Sequence, residues 1–175
     1  MKHKTAIVIP CHDNLDVLKR SVPSAYSENC SMIVFDDGSN DGTYSWLKEN
    51  YPRVHVIRGD GSNWWTGSTK KAIDYCIEND FEYILSLNAD VLISPDSIIK
   101  LIECSRKNDD SIIASLVVDV DDPSKVIWSG SRFNKINKLT LTEFIEVFGN
   151  IFENASWIGG KLYEEKPFNS FEDLS

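Results

Sequence analysis

The chain has 175 residues, 42% of them apolar, which is enough for one core of ordinary size. Its 27 acidic residues against 18 basic ones leave a formal net charge of −9 at pH 7. That balance argues against nucleic acid and anionic membrane surfaces as partners, because both are gripped by clustered lysine and arginine.

Cys11, Cys30, Cys76 and Cys104 are scattered with no CxxC pair and no metal-ligand spacing, the pattern of free thiols in a reducing compartment. No apolar run approaches the roughly 18 residues of a membrane span, and residues 1–10 lack the apolar stretch of a signal peptide. Nothing else points to secretion, so the sequon Asn154-Ala155-Ser156 carries no expectation of glycosylation.

In chain order, Thr5 to Pro10 (TAIVIP), Met32 to Asp36 (MIVFD), Val54 to Ile57 (VHVI), Tyr83 to Leu87 (YILSL) and Ile112 to Val118 (IIASLVV) read as buried strands. They are short, nearly continuous apolar runs rich in Val and Ile, as parallel strands covered on both faces are. Helices are predicted between them near 15–27, 43–50, 67–79 and 95–107. The last carries the clearest start, with Ser94 as N-cap, Pro95 at the first helical position, and Ile98, Leu101 and Ile102 on one face. This alternation predicts an α/β fold with a parallel central sheet and helices on both faces. Beyond Val118 the pattern weakens: Val126 to Trp128 reads as a further strand, Leu141 to Phe152 as a helix and Lys166 to Ser175 as an irregular tail.

The chemistry gathers where strands end. Ile9-Pro10-Cys11-His12-Asp13-Asn14 closes the first strand and opens a helix. Backbone amides at such a turn hold a base or sugar, and the His12 ring is either a stacking surface or a structural histidine. Val34-Phe35-Asp36-Asp37-Gly38-Ser39-Asn40-Asp41-Gly42-Thr43 runs from strand into carboxylates. There Asp37 is placed to accept the imide N–H of a pyrimidine, while Ser39 to Asp41 shape the turn and cap the next helix. The stretch imitates the opening of an EF-hand calcium loop. Its twelfth position is Lys48 where that loop needs a bidentate Glu, which rules the reading out. Leu85-Ser86-Leu87-Asn88-Ala89-Asp90 is a D-x-D-like strand end whose first carboxylate is an amide. Asp90 alone suffices for Mg²⁺ or Mn²⁺ when phosphate and water complete the shell.

Together the IVIPCHDN opening, the VFDDGSNDGT stretch and LSLNAD resemble the family 2 glycosyltransferases of the GT-A fold, over residues 5 to about 105. Gly59-Asp60-Gly61-Ser62-Asn63-Trp64-Trp65-Thr66-Gly67 is similar to a bacterial, rhamnosyltransferase-like subgroup with a GDG…WWTG segment. The resemblance implies a single Rossmann-like GT-A domain over 1–175. Residues 1–107 would form its nucleotide-sugar-binding part and 108–175 an incomplete acceptor-side part. It implies nucleotide contacts from Pro10, His12 and Asp37, with Ala89 in the same nucleotide-sugar set. Asp90 would hold the divalent metal that bridges the diphosphate. Trp64 and Trp65 would line the donor or acceptor pocket, indole faces stacking well on sugar C–H surfaces, unless both are core residues.

Some positions depart from the pattern. Lys70 and Ala72 stand where the family has Asn and Gly, and Lys70 is either a phosphate contact or a solvated helix residue. Asn14 lies one place beyond the customary Asn. On the acceptor side, Trp157-Ile158-Gly159-Gly160 resembles the start of the family's acceptor region. Glu172-Asp173 is either a compressed acidic pair, with Asp173 as general base, or an acidic tail. The implied activity is transfer of a sugar from a nucleoside-diphosphate sugar to the hydroxyl of a glycan or lipid-linked acceptor. Inversion at the sugar, a role in cell-surface polysaccharide or lipopolysaccharide assembly, and a cytoplasmic place at the inner membrane face go with it. A non-catalytic nucleotide-sugar-binding domain is the alternative. A sugar nucleotidyltransferase is disfavoured by Cys-His-Asp-Asn in place of a Gly- and Arg-rich phosphate loop.

Overall fold

The computed structural model describes residues 4–27, 29–108, 112–128, 140–143 and 164. The chain divides into two compact units, Met1–Asp109 and Asp110–Ser175, which are described separately.

In the first unit the order is β1 (Thr5–Cys11), α1 (Leu15–Ala25), β2 (Ser31–Asp36), α2 (Thr43–Asn50), β3 (His55–Arg58), α3 (Trp64–Glu78), β4 (Tyr83–Ser86) and α4 (Ser97–Ser105). The four strands form one parallel sheet in the order β3-β2-β1-β4. This is the predicted α/β architecture. Every residue of β1 is buried, as a central parallel strand requires.

Alternation along the strands feeds two cores. Ile7, Ile9, Met32 and Val34 face Leu18, Val22 and Ala25 of α1 and Leu47 of α2, while Ala6, Val8, Ile33 and Phe35 face Ala72 and Cys76 of α3. Helix α3 lies close to β1 and β2 because its buried stripe is made of small residues: Ser68, Thr69, Ala72 and Cys76.

Since chain order leaves β1 in one direction towards β3 and in the other towards β4, the strand order reverses between β1 and β4. Open α/β sheets carry their ligand crevice at that point, outside the carboxyl ends of the strands. Pairing of β1 with β4 ends at Val8 and Ser86, followed by the Leu87 N–H to the Val8 carbonyl. Val8 therefore faces β4 and Cys11, whose carbonyl accepts the Asp37 N–H, faces β2. By the same alternation Pro10 faces the β4 side beyond the last paired residue, where its missing N–H costs no ladder bond.

Two expectations are corrected. Ser94 does not cap α4: the helix starts at Ser97 behind Asp96, which is left-handed at φ 64, and the Ser94 hydroxyl instead meets the Ser97 hydroxyl at 2.7 Å. Within the second unit, the predicted strand 112–118 shrinks to β5 (Val117–Val118). It pairs antiparallel with β6 (Val126–Trp128) in a separate two-stranded sheet. Ile112 and Leu116 are exposed, so that apolar run is not a buried strand. Residues 141–143 are helical, while the remainder of the helix predicted over Leu141 to Phe152, and the Lys166 to Ser175 tail, lie outside the described residues.

Candidate functional site at the carboxyl end of the sheet

The N-termini of α1, α2 and α3 all emerge at the carboxyl end of the sheet, each with unpaired backbone N–H groups. None has a side-chain cap from its own N-cap residue. Carboxylates of the β2–α2 loop supply the caps from outside. Asp41 accepts the Leu15 N–H of α1 at 2.8 Å and the Thr43 N–H of α2 at 3.0 Å. Asp37 does the same for α3: its Oδ2 accepts the N–H groups of Asn63 and Trp64, both at 2.9 Å. Its Oδ1 accepts the Gly61 N–H at 3.0 Å and Asn63 Nδ2 at 2.7 Å. Desolvation pushes the carboxyl groups of Asp37 and Asp41 towards the neutral acid, and their hydrogen bonds outweigh it, so both sit below the ordinary carboxylate range.

The β1–α1 loop is stitched to the same stretch. The Asp13 N–H donates to Ser39 Oγ at 2.9 Å and the Asn40 N–H to Asp13 Oδ1 at 2.7 Å. Asp36 is fully buried, receives the Ser39 N–H at 2.9 Å, and has Arg58 Nε 3.4 Å from its other oxygen. Ser39 and Asp41 thus act structurally, as expected. Asp37 is more engaged with the protein than the sequence suggests. The sequence places it as an acceptor for a pyrimidine imide, but a carboxylate has about four lone-pair positions, and here protein donors fill all four.

The loop that fills them crosses the sheet. Gly59 to Trp65 leaves β3 at the edge, passes Asp37 at the end of β2, and reaches β4, where Trp65 Nε1 donates to Asn88 Oδ1 at 3.0 Å. Two glycines make this path possible. A Cβ on Gly59 would lie 2.2 Å from Asp37 Oδ1, and Gly61 has φ +87. Trp64 also has positive φ, 55, an unusual conformation for a bulky residue, and its N–H is held by Asp37.

Neither tryptophan is a core residue: Trp64 is 72% exposed and Trp65 52%. The His12 ring is half exposed and bound through Nδ1 to the Asp37 carbonyl at 2.5 Å, and a Cβ on Gly61 would sit 4.0 Å from the ring. Ala89 is half-buried against the first core. Asp90, in the turn after β4, is exposed and has no partner among the described residues. Among those residues no three His, Cys, Asp or Glu side chains cluster as a metal cage. Lys70 pairs with Asp74 at 2.7 Å on the exposed face of α3. Asp173, Glu172 and Trp157 to Gly160 lie outside the described residues. Sequence reading missed Asn63, Lys71, which donates to Asn63 Oδ1, and Asn88 as a partner of Trp65. An Asn just before the tryptophan pair, in the N-cap position, was the available signal.

A doubly covered parallel sheet, with polar side chains at the carboxyl ends of its strands and a reversal of strand order, is the doubly wound type of α/β domain. The chain belongs to glycosyl transferase family 2, whose model matches residues 6–163. S. aureus TarS 1–349 in complex with UDP superposes with a TM-score of 0.54 at 14% identity, over 94% of this chain and 55% of that one. The same protein with UDP-GlcNAc gives 0.53 at 12% identity, over 91% and 54%. A 4-diphosphocytidyl-2C-methyl-D-erythritol synthase gives 0.50 at 14% identity, over 72% and 68%. At such identities the likeness is one of fold, and the chain spans about half the length of these TarS structures.

A stretch of 43 residues is also 35% identical to the uric acid degradation bifunctional protein of Bacillus sp. (strain TB-90), covering 25% of this chain and 9% of that protein. Forty residues are 40% identical to the 2-oxo-4-hydroxy-4-carboxy-5-ureidoimidazoline decarboxylase of Mus musculus, covering 23% of this chain and 22% of that protein. Matches this short carry no activity over.

Proposed function

We propose that the chain binds a uridine or thymidine diphosphate sugar at the carboxyl end of its sheet and transfers the sugar, with inversion, to an acceptor hydroxyl. The observation that carries this reading is the Trp65–Asn88 hydrogen bond, which joins the exposed tryptophan pair to the turn bearing Asp90. Sugar-stacking surfaces and an exposed carboxylate then lie at the same end of the sheet. The solved TarS complexes with UDP and UDP-GlcNAc support the choice of ligand class.

In this reading His12 stacks on the base, Pro10 and Ala89 border the nucleotide, and Trp64 and Trp65 cover the sugar. Asp90 would hold Mg²⁺ or Mn²⁺, an ion that stabilises charge on a departing diphosphate. Asp173 is the proposed base that deprotonates the acceptor, a glycan or lipid-linked hydroxyl of a bacterial cell-surface polymer made at the cytoplasmic membrane face. Among the described residues no helix is long and apolar enough to cross a membrane, so a lipid-linked acceptor would be met at the surface. Lys70, engaged with Asp74, is left out of the phosphate contacts.

Thermal shift against a panel of nucleotide sugars, with and without Mn²⁺, tests the reading, since a specific ligand stabilises by mass action. Stabilisation by uridine or thymidine diphosphate sugars alone is expected. No shift with any of them overturns it, and binding without transfer identifies a non-catalytic binding domain.

A further inference from the structure

Trp65 and Asn88 each stand on backbone that the fold holds in place. Trp65 lies in the first turn of α3, whose Ser68, Thr69, Ala72 and Cys76 are buried, and the Thr69 hydroxyl donates to the Trp65 carbonyl at 2.8 Å. Asn88 follows the buried Leu87, whose N–H bonds the Val8 carbonyl of β1. Its own carbonyl accepts the Val91 N–H at 3.2 Å. The freedom that remains is in the side chains. The Trp65 indole is half exposed, and Nε1–H, its single polar group, is given to Asn88 Oδ1 at 3.0 Å. Because an indole only donates, this bond also fixes how the amide lies: Oδ1 meets the ring, and Nδ2 has no hydrogen bond among the described residues.

We propose that Asn88, the amide in the first carboxylate place of the D-x-D-like strand end, is a positioning residue for the donor sugar. It holds the Trp65 indole beside the turn that carries Asp90, so that the ring is a preset face for the C–H side of a sugar. The inference rests on the nucleotide-sugar reading above for its ligand and adds the residue that sets the sugar surface. The gain lies in ordering. A half-exposed tryptophan free to change rotamer must be immobilised when a sugar stacks on it, whereas a pinned one is ordered beforehand.

Three single changes and one double change separate positioning from direct contact. Asn88→Ala removes the acceptor. Asn88→Asp keeps an acceptor for the indole and removes the NH₂ group, so it preserves positioning and abolishes any bond from Nδ2 to a ligand. Trp65→Phe keeps an aromatic ring and removes the N–H. The double variant combines Asn88→Ala with Trp65→Phe.

The first readout is the Trp65 indole proton, followed by NMR in the full chain without ligand, with the Val8 and Ile9 amides of β1 as a folding control. In wild type and Asn88→Asp this proton is expected downfield of a solvated indole and slow to exchange with water. In Asn88→Ala it is expected at the solvated position, exchanging several-fold faster, while β1 keeps its protection. The second readout is calorimetric, with Mn²⁺ present: the affinity ratio between a nucleotide sugar and its bare diphosphate. UDP-glucose and UDP-GlcNAc are set against UDP, and dTDP-glucose and dTDP-rhamnose against dTDP. The pair with the largest wild-type ratio is carried into the variants, and the ratio cancels effects on the nucleotide or the ion. It is expected to fall about three- to tenfold in Asn88→Ala and in Trp65→Phe, the scale of immobilising one side chain on binding. The double variant is expected to be no worse than either, as partners in one contact are non-additive, and Asn88→Asp to keep the wild-type ratio.

A wild-type indole proton that behaves as a solvated one overturns the proposal. So does a Trp65→Phe variant with an unchanged ratio, or an Asn88→Asp variant that loses the ratio as Asn88→Ala does, since the NH₂ group then touches the ligand itself. If the diphosphates bind and no sugar raises their affinity, this proposal falls and the nucleotide site stands. If nothing in the panel binds, the nucleotide-sugar reading fails and the sugar surface with it, while the indole proton still decides whether Asn88 holds the ring. Should Asn88→Ala lose the β1 protection, the wild-type proton, Asn88→Asp and Trp65→Phe carry the decision.

Discussion

A carboxylate at a strand end is ambiguous in a sequence, because it looks the same whether it awaits a ligand or holds a neighbouring loop. Asp37 shows which difference matters: its donors come from residues 61 to 64, on the far side of a helix and a strand, and local pattern cannot reveal them. Once four donors surround it, losing its charge is expensive. Asp37→Ala is expected to lower stability by about 1.5–3 kcal/mol, the range for hydrogen bonds to a charged group, measured by urea unfolding. The pH dependence follows in sign. The folded group is depressed, so its contribution is complete above the ordinary carboxylate pKa of roughly 3.9 and is lost as pH falls through the lower folded value. Exchange protection of the Trp64 amide is expected to collapse in that acid window in wild type. Asp37→Asn, whose side-chain NH₂ meets donors where an acceptor stood, is expected to lack protection at neutral pH as well. A Trp64 amide indifferent to both pH and substitution would refute the account.

At the scale of elements, strands are where the sequence spoke most clearly. β1 to β4 were legible as strands because continuous Val- and Ile-rich runs mark them, and the structure buries β1 completely. β3 and β4, at the ends of the sheet, are only partly buried, against the expectation of burial on both faces. The same rule failed at Ile112 to Val118, where an equally apolar run pairs over only two residues and leaves Ile112 and Leu116 exposed. Apolar content alone does not say whether a second layer exists to cover it. Helix starts were less legible, since the real caps come from elsewhere in the chain: α3 begins at Trp64, three residues before its predicted start, because Asp37 holds its first N–H groups. Asp41 serves two helices at once, so Asp41→Ala is expected to cost about 0.5–2 kcal/mol, as loss of an N-cap does. For comparison, Ile9→Ala empties a fully buried position of the first core and is expected to cost about 2–5 kcal/mol. Denaturation midpoints of both variants check the order: a larger loss in Asp41→Ala would mean the loop junction, and not the core, limits stability.

For the whole molecule the governing fact is charge. A net −9 repels a nucleoside diphosphate, and the cations on β3 and α3 are already engaged: Arg58 with Asp36, Lys70 with Asp74 and Lys71 with Asn63. In the proposed reading, neutralising a diphosphate at this end of the sheet falls to a divalent ion, with the exposed Asp90 carboxylate to hold it. UDP affinity is expected to rise about tenfold or more, roughly 1.4 kcal/mol, when EDTA is replaced by Mn²⁺, and Asp90→Asn is expected to abolish the difference. Salt gives an independent sign. Without metal, like charges oppose binding, and raising ionic strength screens them, so residual UDP affinity is expected to increase with salt. A site built from basic side chains behaves in the opposite way, losing affinity as salt rises. Calorimetry in EDTA at two salt concentrations separates these outcomes. Wild-type binding that is as tight in EDTA as in Mn²⁺, and that weakens with salt, would mean that cations of the protein hold the diphosphate and that Asp90 is only a turn residue.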